Sequence, residues 1–406
     1  GQINLNNEHA DSESILPESF DRRQFLAEYW QKKPLLIRAG ALSFLDPVTP
    51  EELAGLACEP GVESRLIQVN ESQTKWSMRQ GPFDDEDFLS LPQSNYSLLV
   101  QAVDQWVDGV SAMLGDFDFI PGWRVDDIMV SYATDQGNVG PHFDYYDVFL
   151  IQGMGQKRWQ LGQRCDALTP IDQSSGLRLL KNFKAADEYT VNPGDILYIP
   201  PGVAHYGIAI GPSITYSVGF RAPSWGEILS GVVDQALDDL NEDQRYTDPQ
   251  PSLPRHYGEI PEAVISDLQQ KLTTLLTQPE RIRRWFGQTM TAPRYPLEPD
   301  SDNASATVTI DALRQQLEQG MEIYKVPGAR FAYCAGSDLG DARSIEFFAD
   351  GVRYSCNENC LQLLQTLSAP GYLMPMPESI KNHALSDDSA CQLLADLYNQ
   401  GSLTLD

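Results

Sequence analysis

The stretch from Gly137 to Trp159, GNVGPHFDYYDVFLIQGMGQKRW, constrains this chain more than any other. An H-x-D triplet, His142-Phe143-Asp144, precedes the apolar run Val148 to Ile151, a Gly-rich turn and the pair Lys157-Arg158. Side chains alternate along a strand, so His142 and Asp144 share a face if they open one. An imidazole and a carboxylate side by side are half of a metal site. The other half comes from PGDILYIPPG, residues 193–202, which leads to His205. Pro200 and Pro201 fix φ and Gly202 relieves the turn, so this run reads as a rigid strand–turn–strand device that aims His205 inward. Alone, Asp144 reads as a turn cap and His205 as a core imidazole. Their joint context makes the case.

His142, Asp144 and His205 match the two-histidine, one-carboxylate face of non-haem Fe(II) oxygenases. Three ligands on one face of an octahedron leave three positions for a bidentate cosubstrate and dioxygen. Lys157 follows one apolar strand and a Gly153/Gly155 turn, which puts a cation beside the metal strands, within reach of a dicarboxylate's far carboxylate. Arg158 is its competitor. Alternation lets only one of the two point inward, and both stay open at this point. Ser131, on VDDIMVSYA, and Ser217, on TYSVGF, are candidate lining hydroxyls for the cosubstrate; either serves equally as a core hydroxyl bonded to backbone.

The 406 residues allow two or three domains, and 42% apolar content supports a real core. No apolar run is long enough to span a membrane and no secretory leader opens the chain, so a cytoplasmic protein is expected. Six scattered cysteines make no disulfide framework. Cys356 and Cys360 are one helical turn apart but lack a second pair for zinc. A formal charge of −28 excludes phosphate-backbone binding as the main task and suits a basic partner or plain solubility.

Helices are expected over 21–30, 50–57 and 95–106, with a strand at 35–37 and a strand pair at 65–69 and 76–78. From Trp123 short strands separated by turn residues (125–133, 147–153, 158–161, 188–191, 195–199, 205–210, 213–220) predict a jelly-roll barrel. Helical periodicity returns over 225–240, 261–277 and 279–289. A Pro-rich acidic linker at 291–303 precedes helices near 311–319, 359–367 and 389–399, with strands at 323–326, 331–334 and 351–354. Small helices with a β-wing fit a winged helix. Its acidic residues argue for protein contact rather than DNA binding.

The segments WRVDDIMVSYA, VGPHFDYYDVFLIQGMGQKRW, PGDILYIPPGVAHYG and YSVGFRAP together resemble the JmjC-type ribosomal oxygenases, nearest to the bacterial branch that hydroxylates an arginine of a large-subunit ribosomal protein. FLAEYWQKKPLLIR resembles that family's entry region. The resemblance is good over about 20–290 and weaker from 300 to 406. It implies a mostly β fold with α: a double-stranded β-helix of the jelly-roll, cupin-like JmjC kind with N-terminal helices (20–223), a helical dimerisation region (224–290) and a C-terminal winged-helix domain (304–406). It implies Fe(II) on His142, Asp144 and His205, with 2-oxoglutarate and O2 as cosubstrates. Lys157 and Ser131 would meet the 2-oxoglutarate C5 carboxylate. Close bacterial relatives look to have Arg at position 157, and Lys keeps the charge while losing the planar fork. A homodimer acting on a ribosomal protein is implied. An arginine substrate wants an acidic, aromatic mouth, for which Tyr145, Tyr146, Asp147, Asp126 and Asp127 are candidates. The rival readings are a cupin-like metal enzyme that does not use 2-oxoglutarate, and a non-catalytic winged-helix binding protein.

Overall fold

The structure, a computed structural model, describes residues 14–39, 43–295, 307–335, 344–371 and 375–406. Most of the expected polar start and of the 291–303 linker lies outside these residues. The chain forms two compact units that divide between Ala222 and Pro223.

The first unit opens with α1 (Arg22–Glu28), whose N-cap Asp21 accepts from Gln24 N. Then come β1 (Leu35–Ile37), α2 (Pro50–Ala57), β2 (Ser64–Val69), β3 (Trp76–Gln80), α3 (Asp85–Leu89), β4 (Tyr96–Val100) and α4 (Asp108–Ala112). The remaining strands are β5 (Val125–Ala133), β6 (Val148–Gln152), β7 (Gln156–Arg164), β8 (Ile171–Asp172), β9 (Leu179–Leu180), β10 (Asp187–Val191), β11 (Ile196–Ile199), β12 (Val203–Ile210) and β13 (Ser213–Phe220). An eight-stranded sheet runs β1-β11-β6-β13-β5-β4-β2-β3 and faces a three-stranded sheet, β10-β7-β12. This is the expected jelly-roll core.

The helix expected over 95–106 is a correction. Residues 96–100 are β4, paired on both sides with β2 and β5. Tyr-Ser-Leu-Leu-Val buries both faces, so its apolar residues show no clean period of two. A 3-10 turn at Val103–Gln105 supplies the rest of the helix-like spacing.

The large sheet has two working faces. Ile128, Val130, Phe149, Ile151, Tyr198, Ile214, Tyr216 and Val218 pack with Phe25 of α1 and Leu53 of α2 in the main core. The opposite face closes on the small sheet, where Val148, Leu150, Leu197 and Ile199 meet Trp159, Leu161 and Val191. Strand alternation therefore decides which residues line the barrel interior.

The second unit holds α5 (Trp225–Asp238), α6 (Glu262–Leu276), α7 (Pro279–Thr291), α8 (Ile310–Glu318), β14 (Ile323–Lys325), β15 (Phe331–Cys334), β16 (Ser344–Ala349), β17 (Val352–Asn357), α9 (Leu361–Leu367), α10 (Glu378–Ser386), α11 (Asp388–Asn399) and β18 (Leu403–Leu405). Strands β15, β16 and β17 form the wing. Helix α7 packs on it: a Cβ at Gly287 would fall 2.3 Å from the Phe348 ring. Leu313, Leu363, Leu364, Leu394 and Leu397 centre the core below the wing. Among the described residues no helix is long and apolar enough to cross a membrane, and all six cysteines are free.

Candidate metal centre

His142 and His205 are joined by an isolated antiparallel bridge. His142 N donates to His205 O at 3.1 Å, and His205 N donates to His142 O at 2.8 Å. The Pro-Pro-Gly turn meets the same segment, because Gly202, at φ +83°, gives its N–H to Asp144 O at 2.8 Å. Backbone pairing thus brings the two distant motifs together. Ligand atoms of His142, Asp144 and His205 all lie within 4.8 Å of one another. Asp144 Oδ2 stands 3.7 Å from His142 Nε2 and 3.5 Å from His205 Nε2.

Each imidazole is oriented from behind. His142 Nδ1 lies 3.0 Å from Gly140 O and His205 Nδ1 lies 2.9 Å from Val203 O. A carbonyl accepts only, so Nδ1 carries the proton and the Nε2 lone pair faces Asp144. Burial, then the His205 imidazole, pushes His142 down to about 4. Burial works to raise the Asp144 carboxyl, but His142, His205 and the Tyr146 hydroxyl outweigh it and hold it at about 2. A neutral His142 imidazole beside an ionised Asp144 carboxylate is the state a divalent cation requires of these ligands. Access is one-sided: the side chains of His142 and Asp144 are 23% and 21% exposed, while His205 is 3%.

Lys157 and Arg158 separate as alternation demands. Arg158 points outward, half-exposed, with Nη1 3.2 Å from Glu188 Oε1. Lys157 is buried, its Nζ 4.8 Å from the centre of the Trp159 ring. No carboxylate pairs with it among the described residues, and burial alone pulls its ammonium down to about 8. Its charge is felt at His142.

Ser131 and Ser217 are buried on the interior face. Thr215 shares that face, opposite Ser131 in the register, and its buried Oγ1 has no hydrogen-bond partner among the described residues. Thr215 was missed by sequence reasoning, although TYSVGF alternation puts it on the same side as Ser217. Tyr145 and Tyr146 are exposed at the opening. Asp127 lies on the interior face, buried; its Oδ2 accepts from Gln101 Nε2 and Ala102 N, both at 2.9 Å, and its charge reaches Tyr146. Asp147 is placed elsewhere. It is fully buried on the core side, bonded to the Tyr198 hydroxyl and to Gln31 Nε2 at 3.2 Å, with Arg124 Nη2 at 3.6 Å. Asp126 is paired with Arg221 at 3.1 Å.

The chain was compared with known proteins. Residues 112–228 match the JmjC domain family and residues 271–404 the ROXA-like winged helix. The ribosomal protein uL16 3-hydroxylase of Escherichia coli is 34% identical over 377 residues, 93% of this chain and 95% of that protein. The chain belongs to the JmjC ribosomal oxygenases. A probable ribosomal oxygenase of Haemophilus influenzae is 41% identical over 218 residues, covering 53% of this chain and 54% of its own length. The solved structure of YcfD, a ribosomal oxygenase from Escherichia coli in complex with cobalt and 2-oxoglutarate, superposes with a TM-score of 0.79 at 33% identity, covering 96% of this chain and 99% of that one. Ribosomal oxygenase membership covers both units, since the YcfD match runs through the winged helix as well as the barrel.

Proposed function

We propose that this chain is an Fe(II)- and 2-oxoglutarate-dependent dioxygenase that hydroxylates an arginine side chain of a large-subunit ribosomal protein. The observation that carries the reading is Lys157. A His-Asp-His set alone suits many metal enzymes, but an unpartnered ammonium buried beside it calls for an anion. Thr215 Oγ1, buried without a partner, marks polar capacity on the facing sheet. A dicarboxylate fits both: one end at the metal, the other at the cation. That favours 2-oxoglutarate over a cupin-like chemistry without it.

His142 Nε2, His205 Nε2 and Asp144 would hold the metal, whose role with 2-oxoglutarate and O2 is to supply an oxidant strong enough to replace a C–H hydrogen by hydroxyl. Lys157, with Ser131, Thr215 and Ser217 as neighbouring hydroxyls, binds the far carboxylate. Trp159, Leu161, Val148 and Leu150 wall that end off from water. The Tyr146 hydroxyl donates a hydrogen bond to the Asp144 carboxylate, helping to hold it in place. At the opening, Tyr145 and Tyr146 offer ring faces to a guanidinium, and Asp127 offers charge from inside. The strongly acidic chain steers a basic ribosomal protein toward that opening.

The cytoplasm is the proposed place of action. The proposed division of labour is catalysis by 20–223, dimerisation through 224–290 and a winged helix at 304–406 that does not bind DNA. Apolar side chains left exposed along α5 and α6, among them Leu229, Leu237, Ile265 and Leu272, support the pairing. Sedimentation should then show dimers; monomers throughout would remove that element.

The deciding experiment is mass spectrometry of ribosomal proteins incubated with the enzyme, Fe(II) and 2-oxoglutarate. One arginine-containing peptide should gain one oxygen, with succinate released, and the gain should vanish with Asp144→Ala. No succinate with any ribosomal protein would defeat the reading.

A further inference from the structure

The hairpin of β2 and β3 contributes no ligand to the site, yet its tip reaches both segments that carry the histidines. We infer that this hairpin is a clamp that positions His142 through Asn138, and that Asn138 and Trp76 are positioning residues for the metal. The inference rests on the metal reading above and deepens it.

The contacts form a continuous relay. Trp76 Nε1 donates to Asn138 Oδ1 at 2.9 Å, and Gly140 N donates to the same oxygen at 3.0 Å. Gly140 O is the acceptor that faces His142 Nδ1. The other end of the Asn138 amide donates to Gln136 O at 2.9 Å and to Gln73 Oε1. Gln73, at the hairpin tip, also donates to Gln136 O at 3.2 Å and accepts from Tyr206 Oη at 3.3 Å. Tyr206 follows His205 on β12. One tip residue therefore touches the approach to His142 and the strand that bears His205.

Two features make this more than ordinary loop packing. Asn138 is 1% exposed and uses its whole hydrogen-bonding capacity, two bonds into Oδ1 and two out of Nδ2. Gly140 sits at φ +78°, and a Cβ there would lie 3.3 Å from the Trp76 ring and 2.5 Å from Leu179. The same tryptophan thus holds Gly140 at its N–H, through Asn138, and crowds its Cα with its ring; the carbonyl lies in the next peptide, where the Pro141 ring stiffens the link. A fixed Gly140 carbonyl fixes the Nδ1–H of His142, and with it the direction of the Nε2 lone pair. Groups bonded directly to a ligand, as the Gly140 carbonyl is to His142, change metal affinity by about 10- to 100-fold when lost, and Asn138 acts one step behind that carbonyl.

The test is Co(II) binding to the full chain, read as affinity by competition titration and as the ligand-field absorption of the bound ion. Asn138→Leu removes the acceptor and should weaken Co(II) by up to about 10-fold, the low end for a ligand's own partner, with an altered spectrum. Asn138→Asp keeps an oxygen facing Gly140 N and Trp76 Nε1 but sets its second oxygen against Gln136 O and Gln73 Oε1, so it should restore only part of the affinity and of the wild-type spectrum. Trp76→Phe keeps an aromatic ring on the Gly140 side but removes the N–H and part of the indole, so it moves both readouts the same way by less; it also decides the matter if Asn138→Leu fails to fold. Lys75→Ala, on the exposed side of the same hairpin, should change neither. Folded variants with wild-type affinity and spectrum, in a wild type that binds Co(II), overturn the clamp alone. A wild-type chain that takes up no Co(II) overturns the metal reading and the clamp together.

Discussion

Lys157 in the barrel and Lys325 in the C-terminal unit are both buried, and burial lowers each ammonium to about 8. Their surroundings differ. Lys325 Nζ donates to Leu367 O at 3.1 Å and to Ala369 O, closing the C-terminal end of α9. It completes a helix terminus that lacks intrahelical partners and gains from the negative end of the helix. Lys157 has an indole face and no oxygen partner among the described residues. The same residue type at the same depth is a structural cap in one unit and an unfilled electrostatic demand in the other. Burial of a charge therefore does not mark a site; burial without a counter-group does.

Substituting each lysine by methionine, which keeps length and removes charge, should separate the two roles. The largest effect expected is on cosubstrate binding. Lys157→Met should weaken 2-oxoglutarate by roughly 10- to 100-fold, the loss of one charge-assisted contact, while Lys325→Met leaves it unchanged; equal effects from both would break the comparison. Stability should move in opposite directions. Lys325→Met strands two carbonyls and should cost about 1–3 kcal/mol in chemical denaturation. Lys157→Met relieves an unpaired charge and should stabilise the ligand-free chain by a similar or smaller amount.

The pH dependence sharpens the contrast further. Both folded-state values, about 8, lie below the ordinary 10.5. Between these limits the unfolded chain holds protons that the folded chain has released, so ligand-free stability should rise with pH across that window. Each methionine variant should flatten part of the rise. Cosubstrate affinity should run the other way, falling as pH passes about 8 and Lys157 becomes neutral; affinity flat to pH 10 would remove Lys157 from the binding role. The smallest effect belongs to Arg158→Ala, which loses only an exposed pair with Glu188: about 0.5 kcal/mol or less, and no change in 2-oxoglutarate affinity.

The barrel was legible where local chemistry and tertiary demand agree. β13 runs over the expected residues because Ser213 to Phe220 alternates small polar with large apolar side chains between two partner strands. The convergence of His142, Asp144 and His205 was legible because PGDILYIPPG permits few geometries. Elsewhere local signals misled or fell short. β4 is covered on both faces and loses its alternation. α10 buries little beyond Ile380, Lys381 and Ala384, a weak stripe, and was not expected. β16 (SIEFFA) is buried over nearly its whole length, so it carries no period of two. Asp147 follows two tyrosines at the mouth, but its carboxylate belongs to Arg124, Tyr198 and Gln31, partners contributed by distant segments that no local pattern names. Which of Lys157 and Arg158 turns into the barrel needed only the register of β7, which a sequence cannot supply by itself.

The reciprocal backbone bonds between His142 and His205 carry one more consequence. The two jaws of the site are already zipped by the main chain, so an arriving ion finds a finished socket and has little to reshape. Chelation should leave the barrel standing, and the ions after iron in the first row should seat at least as tightly as iron. For such a socket, fixed geometry and nitrogen and oxygen ligands narrow the choice of ion, and supply and exchange decide among those that remain.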